Sequence, residues 1–232
     1  MEAQLANVPV PFNFFAPLRI IRDAILAEGS PAPILVSEGA NAMDVGRAVL
    51  VQNEPWTRLD AGTWGTMGVG LGYCIAAAAV ASPGRLLVAV EGDSGFGFSA
   101  MEVETLVRYQ LPVVLIVFNN GGIYGDDRRS PGEITGPYKD DLAPTFVPHS
   151  AYYSLIEAFG GKGYRARTPE ELNSALSKSF AALKPAVINK GSETSEESIS
   201  RIGQRRWVGI LETSLARDVP ISPPTDLPWN ES

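Results

Sequence analysis

The sequence predicts an α/β fold in which a doubly wound, mainly parallel sheet carries helices on both faces. Apolar runs alternate along the chain with stretches of helical period, which is the order expected of βαβ units. The runs at 86–90 and 113–118 are apolar without interruption, which is typical of central strands buried on both faces. With the helix predicted between them, these strands form a right-handed βαβ unit.

Shorter patterns predict the remaining elements. Helices are predicted over residues 15–27, 42–52, 68–81, 99–109, 151–159 and 169–183. Short strands are predicted at 34–36 and 186–189, and a turn is predicted around Trp56 and Asp60. Residues 125–148 mix charged residues, Gly and Pro without periodicity, so we expect a mobile loop there.

The composition changes near residue 190. Beyond it, a stretch rich in Ser and Glu leads into a Pro-rich end. Such a segment buries too little apolar surface to offset the entropy lost when its backbone becomes ordered. We therefore expect one globular domain over residues 1–190 and a disordered or loosely packed tail over residues 191–232.

The charge and the Cys and His content narrow the function. The formal net charge of −7 disfavours nonspecific binding to nucleic acid or anionic membranes, so small molecules are the expected partners. The single cysteine, Cys74, is expected to be a buried apolar residue, and with the single histidine, His149, it argues against a Cys/His zinc site. No apolar run reaches the length of a bilayer-spanning helix and no signal-peptide pattern is present, so the cytosol is the expected location.

Polar residues follow both central strands. Gly92-Asp93-Ser94 comes after the first and Asn119-Asn120 after the second, and ligands of open α/β sheets bind at such carboxyl ends. A carboxylate from Asp93 and an amide oxygen from Asn120 suit Mg²⁺, and the glycines at 121 and 122 allow a sharp turn that offers a carbonyl. Each motif alone is common in ordinary turns, but their spacing together predicts a metal and phosphate site.

Two neighbouring features have simpler interpretations. Gly68-Val69-Gly70-Leu71-Gly72 is similar to a dinucleotide-binding loop, but no apolar strand leads into it, and close helix packing explains it better. Glu102 and Glu104 lie on the helix that follows the metal motif, and we expect them to be structural.

The spacing of these motifs resembles the thiamine diphosphate (TPP) signature, with Ser94 in place of the usual third glycine. The flanking segments resemble 2-hydroxyacyl-CoA lyases and oxalyl-CoA decarboxylases, namely Glu-Gly-Ala-Asn at 38–41, Leu-Asp-Ala-Gly-Thr-Trp-Gly-Thr-Met-Gly at 59–68, Glu-Gly-Asp-Ser-Gly-Phe-Gly-Phe-Ser at 91–99, and the stretches 101–105 and 118–124. The loop at 125–129 is similar to that of the plant-type lyases. The resemblance extends over residues 8–189.

The resemblance implies a TPP-binding domain over residues 1–190, with TPP and Mg²⁺ as cofactors. It implies that Asp93 and Asn120 bind Mg²⁺ through their side chains and Gly122 through its carbonyl. It implies that Gly65 accepts a hydrogen bond from the 4′-amino group of the pyrimidine and that Met67 lies between the two rings. The other implied cofactor contacts are Ala40, Asn41, Thr66, Gly92, Ser94, Ile123 and Tyr124.

For the reaction, the resemblance implies that a 2-hydroxyacyl-CoA is cleaved to an aldehyde and formyl-CoA, or that oxalyl-CoA loses CO₂. The family's activating glutamate belongs to a pyrimidine-binding domain, normally in the partner subunit, and its CoA site to a middle domain. Neither domain matches this sequence, so no catalytic residue is assigned here and the isolated chain is expected to be inactive.

Three alternatives follow. The chain is a catalytic half that works with a pyrimidine-domain partner, a non-catalytic module that pairs with full-length homologous subunits, or a related carboligase. The segment at 91–99 argues against the last. Residues 190–232 do not match the family's carboxyl-terminal segment.

Overall fold

A computed structural model describes residues 15–122, 146–147 and 150–191. The predicted loop at 125–148, apart from 146–147, lies outside these residues. So do His149 and the predicted tail beyond residue 191.

Six strands form one sheet in which every neighbouring pair is parallel. In chain order they are β1 (Ile34–Glu38), β2 (Arg58–Asp60), β3 (Leu87–Gly92), β4 (Val113–Asn119), β5 (Lys162–Ala166) and β6 (Ala186–Gly191). Their spatial order is β2-β1-β3-β4-β6-β5. This arrangement confirms the predicted parallel α/β fold.

Seven α-helices cover the sheet in the described part of the chain. They are α1 (Phe15–Ala27), α2 (Ala40–Val49), α3 (Gly70–Val80), α4 (Asp93–Ser99), α5 (Val103–Arg108), α6 (Tyr153–Ala158) and α7 (Pro169–Ala182), with a short 3₁₀ helix (Ala100–Glu102) between α4 and α5. Helices α1, α2 and α7 pack in one group, and α3, α5 and α6 in another. Together they account for the predicted helices on both faces.

The central strands form the core. Every residue of β4 is buried, and β3 is buried from Leu87 to Glu91. Because side chains alternate along a strand, one face of the sheet presents Leu87, Ala89 and Leu115 to Cys74 of α3. Cys74 is fully buried in this cluster, which confirms the prediction of an apolar role.

The strands β2 and β5 were not predicted. Both lie at edges of the sheet, where a strand keeps one side exposed and needs no continuous apolar run. Strand β2 is only three residues long and contains Arg58 and Asp60, where the sequence predicts a turn. Strand β5 has exposed charged residues at Lys162 and Arg165, so its sequence does not form the continuous apolar run that identifies a central strand.

The helix predicted at 99–109 was wrong in its start. Helix begins at Asp93, immediately after β3, and passes through a 3₁₀ segment before α5. Gly95 and Gly97 lower the helix propensity of this stretch and conceal it from a propensity argument. The early start places the carboxyl group of Asp93 at the junction of strand and helix.

The order of connections creates a switch point between β1 and β3. From β1 the chain passes through α2 to β2 on one side, and then through α3 to β3 on the other side. Helices α2 and α3 therefore leave in different directions, and a crevice opens at the carboxyl ends of β1 and β3. In the described part of the chain, no helix is long and apolar enough to cross a membrane.

Candidate functional site

Asp93 lies at this crevice, and its carboxylate is held by the backbone. Its Oδ1 accepts a hydrogen bond from the N–H of Ser94 at 2.8 Å. Its Oδ2 accepts from the N–H groups of Gly121 at 2.9 Å and Gly122 at 3.0 Å. These bonds join the start of α4 to the turn after β4, although the two segments are about 28 positions apart.

The side-chain amide of Asn120 and the carbonyl group of Gly122 lie at the same place. One terminal atom of the Asn120 amide lies 3.1 Å from Asp93 Oδ1, 3.3 Å from Asp93 Oδ2 and 3.1 Å from the carbonyl oxygen of Gly122. The amide nitrogen at this position donates to these acceptors. A half-turn of the amide places its oxygen there instead, and the result is a cluster of acceptors without a proton between them.

The donor set fits a magnesium ion. Adjacent ligands of an octahedral Mg²⁺ ion lie about 3 Å apart, which is close to the spacings around Asn120. One carboxylate, one amide and one carbonyl are the oxygen ligands that Mg²⁺ accepts alongside phosphate. Among the described residues, no group of three or more His, Cys, Asp or Glu side chains offers a second candidate metal site.

The turn after β4 requires glycine. Gly121 has a φ of 85° and Gly122 a φ of 146°, and both values lie in the region that side chains disfavour. This conformation points both N–H groups at Asp93. The N–H of Phe146 donates to the carbonyl of Gly121 at 2.9 Å and fixes the turn from the other side.

Burial disfavours ionisation of the Asp93 carboxyl group. The side chain is 1% exposed, and desolvation raises its pKa to about 6, against the lowering effect of the N–H groups of Ser94, Gly121 and Gly122. A nearby divalent cation opposes desolvation and lowers the pKa. The site is therefore arranged to favour a bound cation.

The start of α2 lies beside that of α4. A Cβ on Gly39, the residue before α2, would lie 3.2 Å from the backbone nitrogen of Gly92. Ala40 and Asn41 form the exposed first turn of α2, and the unpaired N–H groups of a helix start bind anions. This contact places the start of α2, with the predicted residues Ala40 and Asn41, next to Gly92 and the start of α4.

Gly65, Thr66 and Met67 lie on an exposed loop at residues 61–69, between β2 and α3. Asp60 holds the start of this loop, since its Oδ1 accepts from the N–H of Gly62 at 2.9 Å. Arg47 makes two hydrogen bonds to Asp60, which hold the pKa of that carboxyl well below its usual range.

One site residue was missed, the buried Glu38, which lies beside a second buried glutamate, Glu91, that accepts no hydrogen bond from the loop backbone in the described part of the chain. Glu38 and Glu91 end the buried parts of β1 and β3, are paired in register and are fully buried. Glu38 accepts hydrogen bonds from the N–H groups of Gly68 and Gly70. Their signal in the sequence was a carboxylate placed between an apolar strand and a glycine, as in Val-Ser-Glu-Gly and Ala-Val-Glu-Gly.

The pair resists ionisation. Burial, with the negative charge of Glu38, raises the pKa of Glu91 to about 8, and burial also raises the pKa of Glu38. Gly70 packs directly against both carboxyl groups, and a Cβ there would lie 2.7 Å from Glu38 Oε2. Gly70 therefore fits the predicted role in close packing, whereas Gly72 faces open space.

The other predicted residues fall into three groups. Ile123 and Tyr124 lie outside the described residues. The side chain of Asn119 donates to the carbonyl of Ser150 at 2.8 Å, which ties down the end of β4. Glu102 bonds to Thr105 and Glu104 to Arg108 on the exposed side of the helix, in agreement with a structural role.

Comparison with known proteins decides the family. Residues 38–190 match the family described as "Thiamine pyrophosphate enzyme, C-terminal TPP binding domain". The chain belongs to this family of TPP-binding domains. The matched region begins at Glu38 and ends at Lys190, so it contains both halves of the candidate site.

Relatives of this TPP-binding domain include two groups of CoA enzymes. It is 80% identical over 190 residues to the 2-hydroxyacyl-CoA lyase of Oryza sativa, covering 82% of this chain and 33% of that protein. It is 54% identical over 164 residues to human 2-hydroxyacyl-CoA lyase 1, covering 67% and 28%. It is 43% identical over 189 residues to the oxalyl-CoA decarboxylase of Escherichia coli, covering 82% and 32%. The chain spans about a third of the length of these relatives.

Solved structures show the same fold. The TPP-dependent 4-hydroxybenzoylformate decarboxylase of Rhodococcus jostii matches with a TM-score of 0.65 at 21% identity, over 82% of this chain and 34% of that chain. The benzoylformate decarboxylase of Polynucleobacter necessarius matches with a TM-score of 0.63 at 20% identity, over 82% and 35%.

The raised pKa of Glu91 predicts the pH dependence of stability. Between about pH 5 and 7.5 the folded chain keeps a proton that unfolded Glu91 has released, so the free energy of unfolding falls as the pH rises. Glu91→Gln has no such proton to keep. We therefore expect its free energy of unfolding to fall less steeply with pH than that of the wild type, by about 1.4 kcal/mol per pH unit, which is the slope for one proton. Urea unfolding of both proteins in chelator at several pH values measures the difference. Parallel curves for the two proteins would show that Glu91 ionises normally.

Proposed function

We propose that this TPP-binding domain holds TPP and Mg²⁺ for a 2-hydroxyacyl-CoA lyase, which cleaves a 2-hydroxyacyl-CoA to an aldehyde and formyl-CoA. The observation that carries the proposal is the convergence of the Asp93 carboxylate, the Asn120 side-chain amide and the Gly122 carbonyl beside the start of α2. The identity of 80% to the rice lyase, against 43% to the bacterial oxalyl-CoA decarboxylase, favours the lyase over the decarboxylase.

Charge explains why the metal and the diphosphate belong together. A diphosphate is strongly anionic, and the buried carboxylate of Asp93 would repel it unless a cation lay between them. Mg²⁺ bound by Asp93, Asn120 and the Gly122 carbonyl supplies that cation. Phosphate oxygens would then be bound by Ser94 and by the N–H groups at the start of α2, at Ala40 and Asn41.

The loop at residues 61–69 is proposed to hold the rings. Gly65 would accept a hydrogen bond from the pyrimidine amino group through its carbonyl, with Thr66 beside it, and Met67 would lie between the rings. Ile123 and Tyr124 would line the thiazolium side. TPP supplies a carbon nucleophile that also accepts the electrons of the broken bond.

Activation is proposed to require a carboxylate from another domain. Asp93 is assigned to the metal, at the diphosphate end of the cofactor. Glu38 and Glu91 are fully buried, and the carboxylate of Glu38 is engaged by the loop backbone. The chain spans about a third of its relatives, so a pyrimidine-binding domain and a CoA-binding domain have room in the remaining two thirds.

Exposed apolar side chains support a protein partner at this site. Trp64 is 94% exposed, Phe98 69% and Met101 65%, and a Cβ on Gly68 would lie 2.8 Å from Phe98. Large exposed apolar side chains beside a site are typical of an interface. We infer that a pyrimidine-binding domain, or a full-length homologous subunit that contains one, covers them. The same surface would serve a non-catalytic module that pairs with such subunits.

Cofactor binding should depend on the metal. Asp93→Ala removes a ligand and a charge, and we expect the affinity for TPP to fall about 10-fold or more. Calorimetry with Mg²⁺, and again with chelator, measures this. Glu102→Ala is the control, since it removes an exposed carboxylate from the neighbouring 3₁₀ helix and should leave the affinity unchanged. Equal affinity of the wild-type chain in Mg²⁺ and in chelator would refute the metal assignment.

The chain alone should not accelerate loss of the proton at C2 of the thiazolium ring. Without a partner, the pyrimidine lacks its activating carboxylate and the site admits water. Proton–deuterium exchange at C2, followed by NMR, should equal that of free TPP and should rise when a pyrimidine-binding domain is added. Fast exchange in the chain alone would show that one of its own carboxylates activates the cofactor.

A further inference from the structure

Glu38 connects the two halves of the cofactor site. Its carboxylate accepts hydrogen bonds from the backbone N–H groups of Gly68 and Gly70. Its methylene stem lies against α4, where a Cβ on Gly95 would be 3.2 Å from Glu38 Cγ. The first residue of α4 is Asp93, the proposed metal ligand. A single buried side chain therefore contacts both α4, the helix of the proposed metal site, and the loop at residues 61–69, here termed the ring-binding loop because it is proposed to hold the rings of TPP.

The ring-binding loop depends on its anchors because most of it is exposed, from residue 62 to residue 67. Asp60 holds its start through the N–H of Gly62. Glu38 holds its end through Gly68 and Gly70. Strand β1 carries Glu38 at its carboxyl end, so this second anchor comes from the rigid sheet.

We propose that Glu38 is a positioning residue that fixes the ring-binding loop relative to the diphosphate and metal site. The inference deepens the proposed function and rests on it, since the loop and the metal site are the two places assigned there to the cofactor. A hydrogen bond to a buried carboxylate is stronger than one to a neutral acceptor, which suits an anchor that acts through a few backbone N–H groups.

Glu38→Gln tests the anchor with little change in shape. Glutamine keeps the stem that packs against Gly95. It offers one acceptor in place of two, and its amino group then faces a backbone N–H of Gly68 or Gly70. The end of the loop is released while the packing on α4 is retained.

Binding of two ligands, TPP and inorganic pyrophosphate, distinguishes loss of the positioning role of Glu38 from a general loss of structure. The full chain is titrated by calorimetry with TPP and with inorganic pyrophosphate, each in saturating Mg²⁺. In Glu38→Gln we expect the affinity for TPP to fall about 10-fold, the loss of one charge-assisted hydrogen bond, while the affinity for pyrophosphate changes less than about 2-fold. Amide hydrogen exchange at Gly68 and Gly70 should become faster in the variant.

Glu91→Gln is the matched control. Glu91 is the register partner of Glu38 and equally buried, but neither of its carboxyl oxygens has a hydrogen-bond partner among the described residues. We expect this variant to bind both ligands like the wild type. Glu38→Asp is a second test that keeps the charge and retracts the carboxylate by one methylene, and it should show the same selective loss of TPP affinity.

The outcomes separate the two proposals. Equal losses for both ligands in Glu38→Gln, or no loss for either, would overturn the positioning role. A wild-type chain that binds TPP no more tightly than pyrophosphate would also overturn it, and would leave the diphosphate site intact. A wild-type chain that binds neither ligand would instead refute the proposed function.

Discussion

The site depends on the hydrogen bonds that the buried carboxylate of Asp93 accepts from the backbone. Its hydrogen bonds from Ser94, Gly121 and Gly122 join the start of α4 to the turn after β4. The same burial that makes these bonds effective raises its pKa to about 6. This side chain thus fixes the start of α4 and the turn after β4, and its buried negative charge favours a cation nearby. In the proposed function a divalent cation would balance that charge and attract the diphosphate.

Three buried carboxyl groups lie at the carboxyl ends of the neighbouring strands β1 and β3, and each has different surroundings. Asp93 accepts hydrogen bonds from the N–H groups of Ser94, Gly121 and Gly122. Glu38 receives the N–H groups of Gly68 and Gly70. Burial and the negative charge of Glu38 raise the pKa of Glu91 to about 8, which favours its protonated form. The switch point of the sheet concentrates these groups, because the carboxyl ends of β1 and β3 meet there.

The parts of the fold that could be predicted from the sequence were those with a local signal. Strands β3 and β4 are buried on both faces, so each is a continuous apolar run. Asp93 and Asn120 follow these runs directly, and parallel pairing brings such ends together. The edge strands β2 and β5 have no such run. The start of α4 was not predicted because Gly95 and Gly97 lower the helix propensity of this stretch. Gly95 is nevertheless suited to its position, because the absence of a side chain leaves space for the stem of Glu38.

The role of Glu38 could not be predicted locally. Its hydrogen-bond partners lie 30 and 32 positions later, in a loop whose path is set by β2 and α3. The sequence showed a carboxylate before a glycine, which is also typical of an ordinary strand end. Only the folded chain shows that this carboxylate faces Gly70 and the register partner Glu91. The proposed metal ligands are recognisable from their spacing in the sequence, whereas the contacts of Glu38 depend on the tertiary structure.

Electron–nuclear double resonance of Mn²⁺ bound in place of Mg²⁺, with TPP present, tests the central claim most directly. If Asp93, Asn120 and Gly122 hold the cation against the diphosphate, the bound Mn²⁺ should show coupling to phosphorus in the wild-type chain. Both the bound metal and its phosphorus coupling should be lost in Asp93→Ala. Bound Mn²⁺ without phosphorus coupling, or an unchanged spectrum in Asp93→Ala, would contradict the account.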